Sequence, residues 1–161
     1  METGSLDASD RRLVQELEAD ARLSLAELGR RVGLSPPAVR ERLARLEGEG
    51  VIRGYRADVD PRATGWPIGA FVRIRPAPRE LAKVADVIRA TPEVVECHRI
   101  TGEDCFLLRL HVRALEDLEG VLDRFTPWGQ TTTSIIASTP VPLRALPLSA
   151  PAPPRSRSGP R

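Results

Sequence analysis

Three features of the sequence predict an α+β protein in which a helix-turn-helix domain precedes a ferredoxin-like βαββαβ domain. Residues 24–46 read as two capped amphipathic helices split by a glycine turn. From Trp66 onward the pattern changes to short alternating strands that take turns with helices. Between the two, residues 51–65 carry a β-branched stretch and then a Pro/Gly segment. The expected layout is therefore a helix-turn-helix domain over 1–50, a strand linker over 51–65, a ferredoxin-like domain over 66–148, and a Pro/Arg/Ser tail over 149–161 whose composition reads as disordered.

The first helix runs from about Ala8 to Asp20, with Asp7 as its cap and Leu13 and Leu17 facing inward. Ser24 followed by Glu27 has capping-box spacing, which satisfies two backbone donors at a helix start. Leu25, Leu28 and Val32 then form one apolar stripe. Gly33 stands where a helix ends in a left-handed residue, and Leu34 follows as a core plug. Ser35 is a good N-cap, and Pro36 at the first helical position sacrifices no needed N–H. Val39, Leu43 and Leu46 make the next stripe. At roughly 100° per residue, Pro37, Ala38, Glu41, Ala44 and Arg45 lie away from it, and Arg40 and Arg42 flank it on opposite sides.

The β-branched residues of 51–60 predict a short strand, and 61–65 a linker. Next come a strand over 69–75, a helix over 79–90 with Leu81, Val84 (or Ala85) and Ile88 inward, and strands over 94–100 and 105–112. Thr101-Gly102-Glu103-Asp104 joins the last two as a turn. A helix over 115–125 and a strand over 132–138 complete the domain. Phe106, Leu108, Leu110 and Val112 alternate toward the helices; Cys105, Leu107, Arg109 and His111 point the other way, with Phe71, Arg73 and Arg75 of the first strand. Helices on one side leave that second face open, and Phe71 and Leu107 there predict pairing with another subunit.

Composition sets the class. The chain has 161 residues, 41% hydrophobic, and a net charge of +2. That charge comes from the tail: residues 1–65 carry 11 basic and 12 acidic groups and residues 66–139 carry 9 and 10, whereas four arginines and no acid follow Thr139. Residues 30–45, however, hold five arginines against Glu41 alone, a local basic cluster of the kind a groove-reading module uses. No apolar run approaches the ~20 residues of a membrane helix, and the N-terminus lacks a signal pattern, so a soluble cytoplasmic protein is expected. Cys97 and Cys105 supply neither a disulfide framework nor a metal site, and no cofactor is predicted.

Double-stranded DNA is the partner that the helical pair implies. Arg40 and Arg45 are the best-placed donors for guanine edges or phosphates, with Ser35, Pro37, Ala38 and Glu41 beside them. Arg30 and Arg31, at the end of the bracing helix, would position the backbone. Glu41 and Arg45 have the spacing of an i, i+4 pair. Catalytic residues are not predicted: His98 and His111 lack an adjacent nucleophile and an acid in triad order.

The order of these elements, and several long motifs, resemble the Lrp/AsnC (feast/famine) transcriptional regulators. The motifs are Leu6-Asp7-Ala8-Ser9-Asp10, Leu28-Gly29-Arg30-Arg31-Val32-Gly33-Leu34-Ser35, the run from Arg42 to Tyr55, and the run from Val95 to Asp104. The resemblance covers about residues 5–148. It implies a winged helix-turn-helix joined to a RAM-type domain, a homodimer or higher oligomer, and a small effector, commonly an amino acid. It also implies an effector site at Thr101, Gly102, Glu103 and Asp104, where Gly102 can adopt positive φ and bring amides close to a carboxylate, while Glu103 or Asp104 pairs with an α-ammonium. Two departures stand out: Pro37-Ala38 where many relatives carry a polar residue, and Thr126-Pro127-Trp128-Gly129-Gln130 in a loop that in the family borders the effector pocket. Two alternatives accompany this reading: a constitutive DNA-binding dimer without effector, and a subunit like the related sirohaem decarboxylases that draws His98, Arg99, Arg109 and His111 around a tetrapyrrole.

Overall fold

Helix α1 (Ala8–Ala19) starts where Asp7 and Asp10 cap each other. The Asp7 carboxylate accepts the Asp10 amide at 2.7 Å, and the Asp10 carboxylate accepts the Asp7 amide at 3.2 Å. Helix α2 (Leu25–Val32) starts with the Ser24 hydroxyl accepting the Glu27 amide, and it ends at Gly33, whose φ of 75° is left-handed. Helix α3 (Pro36–Gly48) is capped by Ser35, whose hydroxyl accepts the Ala38 amide at 3.4 Å. Between α2 and α3 the chain folds back so closely that a Cβ on Gly29 would stand 2.4 Å from the Leu34 carbonyl oxygen. Leu13, Leu28, Val32, Val39 and Leu43 form the core of this helical unit, with Leu17, Leu23, Leu25 and Leu34 packed against it.

The computed structural model describes residues 6–148, so the 149–161 tail lies outside the described residues, as do the first five of the 1–50 domain. The chain divides into two compact units, the helical one and a second spanning Asp58–Pro142. Among the described residues, 51–60 form no strand, contrary to the expectation from their β-branched side chains. The Val51 and Ile52 amides instead close the end of α3 by donating to the Leu46 carbonyl at 2.9 and 3.1 Å. Residues 60–66 then coil through successive turns, including Trp66 N–H to Pro61 O at 2.8 Å. A β-branched run becomes a strand only where a neighbour supplies ladder partners.

The second unit runs β1 (Ile68–Pro76), α4 (Leu81–Ala90), β2 (Val94–Arg99), β3 (Phe106–Val112), α5 (Leu115–Leu122), a 3₁₀ turn (Thr126–Trp128) and β4 (Gly129–Ile135). Its four strands lie in the order β2-β3-β1-β4, all antiparallel, which is the expected βαββαβ arrangement. Ala70, Val72, Ile74, Phe106, Leu108, Leu110 and Val112 face Val84 and Ile88 of α4 and Leu118 and Val121 of α5, each fully or nearly fully buried. Each of these side chains larger than alanine contributes about 1.5–3 kcal/mol of burial. The final strand enters three residues earlier than its expected start, because Ala77 donates to the Trp128 carbonyl at 2.8 Å and holds Gly129 opposite Pro76. A Cβ on Gly129 would stand 2.3 Å from the Arg75 carbonyl oxygen, so the departure at 126–130 is a glycine-dependent entry to the sheet. Trp128 packs against the core and carries the Lys83 ammonium over its ring at 5.2 Å. Among the described residues no helix of this unit covers the opposite face of the sheet, and Phe71 there is 42% exposed.

Replacing Gly29 by alanine sets a Cβ against backbone rather than a movable side chain. Gly29→Ala should destabilise the helical unit by about 1–3 kcal/mol, measured by urea denaturation followed through helical circular dichroism. An unchanged midpoint would mean that the α2–α3 turn relaxes freely.

Candidate nucleic-acid interface and effector turn

The helical unit is organised around a buried carboxylate. Asp10 is 2% exposed, and its two oxygens accept from Arg42 Nη1 at 2.8 Å and Arg45 Nη2 at 2.7 Å. Arg42 Nη1 also reaches Asp7 Oδ2 at 2.5 Å, and Arg45 Nη1 reaches Glu49 at 3.2 Å. The capping box of α1 thus doubles as the anion site for two arginines of α3. Burial alone would raise the Asp10 carboxyl, but the bonds from Arg45 and Arg42 outweigh it and hold the group below its usual range. Asp7 is lowered as well, by the Asp10 amide first and by Arg42 second.

Helix α3 consequently has three distinct sides. Val39, Leu43 and Leu46 face the core, Arg42 and Arg45 face Asp10, and Pro37, Arg40, Glu41 and Ala44 form an outward stripe at i, i+3, i+4 and i+7. The expected Glu41–Arg45 pair is not made; Arg45 turns to Asp10 and Glu49, because a buried carboxylate is a stronger partner than a solvated one. Ser35 serves as the cap and Ala38 is half-buried, so of the predicted contacts on α3 the outward stripe retains Pro37, Arg40 and Glu41. With Leu25, Pro36 and Ala44 these three residues line a shallow depression of about 450 Å³.

The basic cluster is less naked than its sequence suggests. Arg30 holds Glu27 through two bonds of 3.0 and 2.7 Å, and Arg31 bridges Glu27 and Glu16 at 2.8 Å each. These bonds from Arg30 first, then Arg31, bring the Glu27 carboxyl down to about 2. Of the five arginines in 30–45, Arg40 is the one with no ion pair or hydrogen bond from its side chain among the described residues. Sequence reasoning missed Asp10, Asp7, Glu16 and Glu49 as partners. The Asp7-x-x-Asp10 spacing signals a capping box, but nothing local reveals that Arg42 and Arg45 fold back onto it.

In the second unit, the turn 101–104 lies beside the end of β1. Gly102 has φ 107°, and Cys105 N–H bonds to Ile74 O at 3.0 Å. Glu103 pairs with Arg75, while Asp104 stands 3.7 Å from Arg73 and 3.6 Å from Arg75. Thr101 and Gly102 are exposed. Both predicted acids are therefore engaged by guanidinium groups of β1, so the turn presents two cations and two anions side by side. The tetrapyrrole set does not converge. His98 and Arg109 share Glu96 on the open face, at 2.7 and 3.2 Å. His111 lies at the other end of β3 beside Trp66 O, and Arg99 stacks over Phe106, whose side chain is in the core.

Known proteins share this architecture. The AsnC-type helix-turn-helix domain family matches residues 6–47, and the Lrp/AsnC ligand binding domain family matches residues 69–146. The transcriptional regulator LrpC of Bacillus subtilis is 35% identical over 133 residues, covering 83% of this chain and 92% of its own. The regulator LrpA of Mycobacterium tuberculosis is 39% identical over 138 residues, 84% of this chain and 92% of its own. A solved feast or famine regulatory protein from M. tuberculosis, complexed with L-methionine, superposes with a TM-score of 0.83 at 37% identity, covering 88% of this chain and 99% of that one.

The clamp makes a prediction about acid. A carboxyl whose folded value lies below its unfolded value, here near the usual 3.8, stabilises the fold fully above that unfolded value. The contribution is lost as pH falls through the lowered folded value. The stability of the helical unit should therefore drop below about pH 4, and Asp10→Asn should shrink that drop. Matching acid profiles for wild type and Asp10→Asn, followed by circular dichroism, would contradict the clamp.

Proposed function

The chain belongs to the Lrp/AsnC family of helix-turn-helix transcriptional regulators, and on that premise we propose that it binds operator DNA sequence-specifically through α3, assembles through the open sheet face, and senses an amino acid at the 101–104 turn. Residues 1–50 are assigned to DNA binding, 51–65 to the linker, and 66–148 to assembly and effector binding; the chain acts by binding, not catalysis. The observation that carries the reading is the outward stripe Pro37, Arg40, Glu41 and Ala44. It stands free while the other sides of α3 are held by the core and by Asp10. A helix fixed on two sides with a solvent-facing third is what entry into a major groove requires. Arg30 and Arg31 end α2 near the same turn, where phosphates can exchange for Glu27 and Glu16, since solvated pairs of this kind are weak and readily exchanged.

Assembly is supported by the exposed Phe71 and half-buried Leu107 on a sheet face without helices. The partner that buries such a face at least cost in new surface is a second copy of the chain. An amino-acid effector is supported by charge: Arg73 and Arg75 suit its carboxylate, and Glu103 and Asp104 its ammonium. A second reading, a constitutive dimer, draws on the same pairs, because their charges are already balanced without a ligand.

Fluorescence anisotropy on DNA from the gene's own upstream region, at fixed salt, separates these readings. Tight binding that shifts with a mixture of the twenty amino acids is the expected result. Tight binding with no shift favours the constitutive dimer, and binding no stronger than to random DNA counts against that region as operator. Glu27→Gln should free Arg30 and leave Arg31 held by Glu16 alone, tighten binding to any duplex, and steepen the salt dependence by about one in log–log slope. An unaltered slope would mean that neither arginine reaches phosphate.

A further inference from the structure

We propose that base reading by this chain is confined to Arg40 and the apolar depression beside it, which together accept a guanine edge flanked by a thymine methyl, while Arg42 and Arg45 are positioning residues held by Asp10. The assignment rests on the DNA-binding function proposed above and narrows it to particular side chains.

Three observations converge on it. Arg45 would be a natural groove-reading residue by position on α3, but its guanidinium bonds to Asp10 at 2.7 Å and lies 3.2 Å from Glu49. Withdrawing it would leave a carboxylate that is 2% exposed with only part of its compensation. Arg42 is tied to Asp7 and Asp10 in the same way. Arg40 has no such partner among the described residues, so its planar fork is free for the two acceptors that guanine displays in the major groove.

The surroundings of Arg40 add a second specificity. Leu25, Pro36, Pro37 and Ala44 give the depression an apolar floor, with Arg40 and Glu41 at its polar edge. In the major groove the one apolar group that base pairs present is the thymine methyl, and small apolar side chains are its usual contact. Pro37 and Ala44 lie one turn to either side of Arg40 and Glu41 on the same stripe. A guanine contact and a methyl contact therefore fall on neighbouring base pairs. Arg42 and Arg45 affect reading only by fixing how α3 is rotated about its own axis.

The test uses the full-length protein and duplexes it enriches from a randomised library. Selected DNA is then remade with a guanine analogue lacking the ring nitrogen acceptor of the major groove, or with uracil for thymine, one position at a time. Wild type should lose roughly tenfold or more in affinity at one guanine per half-site and a smaller factor at an adjacent thymine. Arg40→Ala, an exposed change that breaks no hydrogen bond or ion pair among the described residues, should weaken binding and abolish the guanine penalty. Arg45→Ala should weaken binding to selected duplexes more than to random ones, because it loosens the rotation of α3 without removing a phosphate contact, and it should keep the guanine penalty. If the guanine penalty disappears in Arg45→Ala and persists in Arg40→Ala, the assignment is overturned while the regulator function stands. A wild type that enriches no sequence overturns the DNA-reading function itself, and this assignment with it.

Discussion

The burial of one carboxylate, Asp10, is the constraint from which the helical unit takes its shape. An ionised carboxylate removed from water is tolerated only where donors replace the lost hydration, and a capping amide alone is too little. Arg42 and Arg45 supply the rest, and both belong to α3. Two bonds from residues three apart on one helix fix that helix in rotation as well as in position. The apolar cluster that holds Leu13, Val39 and Leu43 could tolerate some sliding, since hydrophobic burial is non-directional. Directional bonds to a buried acceptor are far less forgiving. The outward stripe of α3 is thus defined by what the opposite sides are bound to.

A related economy of charge appears in the sheet. Its helix-covered face is closed by strict alternation, seven inward side chains of β1 and β3 against α4 and α5. Its other face mixes Phe71 and Leu107 with Arg73, Arg75 and Arg109, each of the three arginines within ion-pair distance of Glu96, Glu103 or Asp104. Such a face is polar enough to be soluble and apolar enough to gain from being covered. Solvated pairs exchange partners at low cost, so this surface can accept a ligand or another subunit without unfolding anything beneath it.

Much of the fold was legible because its signals are local. Ser24, Ser35, Gly33 and Pro36 mark helix ends through their own backbone chemistry, and the alternation of Phe106 to Val112 marks a strand with one buried face. What escaped was tertiary. The bonds from Arg42 and Arg45 to Asp10 join residues 32 and 35 positions apart, and no periodicity announces them. The i, i+4 spacing of Glu41 and Arg45 pointed to the wrong partner, because spacing shows which groups can meet and not which alternative is stronger. Residues 51–60 have strand-like composition but no strand alongside to pair with among the described residues, and β propensity is mostly a statement about neighbours. At the turn, Glu103 and Asp104 were visible as acids, whereas their engagement by Arg73 and Arg75 depends on where β1 ends.

Internal neutralisation of the arginines bears on how such a domain discriminates between sequences. Attraction to phosphate is the same for every duplex, so each free cation raises specific and non-specific binding together. A helical unit with bare arginines at 30, 31, 40, 42 and 45 would hold DNA tightly and choose poorly. Here Arg42 and Arg45 spend their charge on a buried acid, and Arg30 and Arg31 sit in solvated pairs that phosphate must first displace. On the DNA-binding role proposed above, phosphate attraction is thereby reduced more than base contact is, since the outward stripe of α3 remains open. The arrangement favours the ratio of specific to non-specific affinity over affinity itself. That ratio, set against the number of competing sites, decides where a regulator resides on a genome.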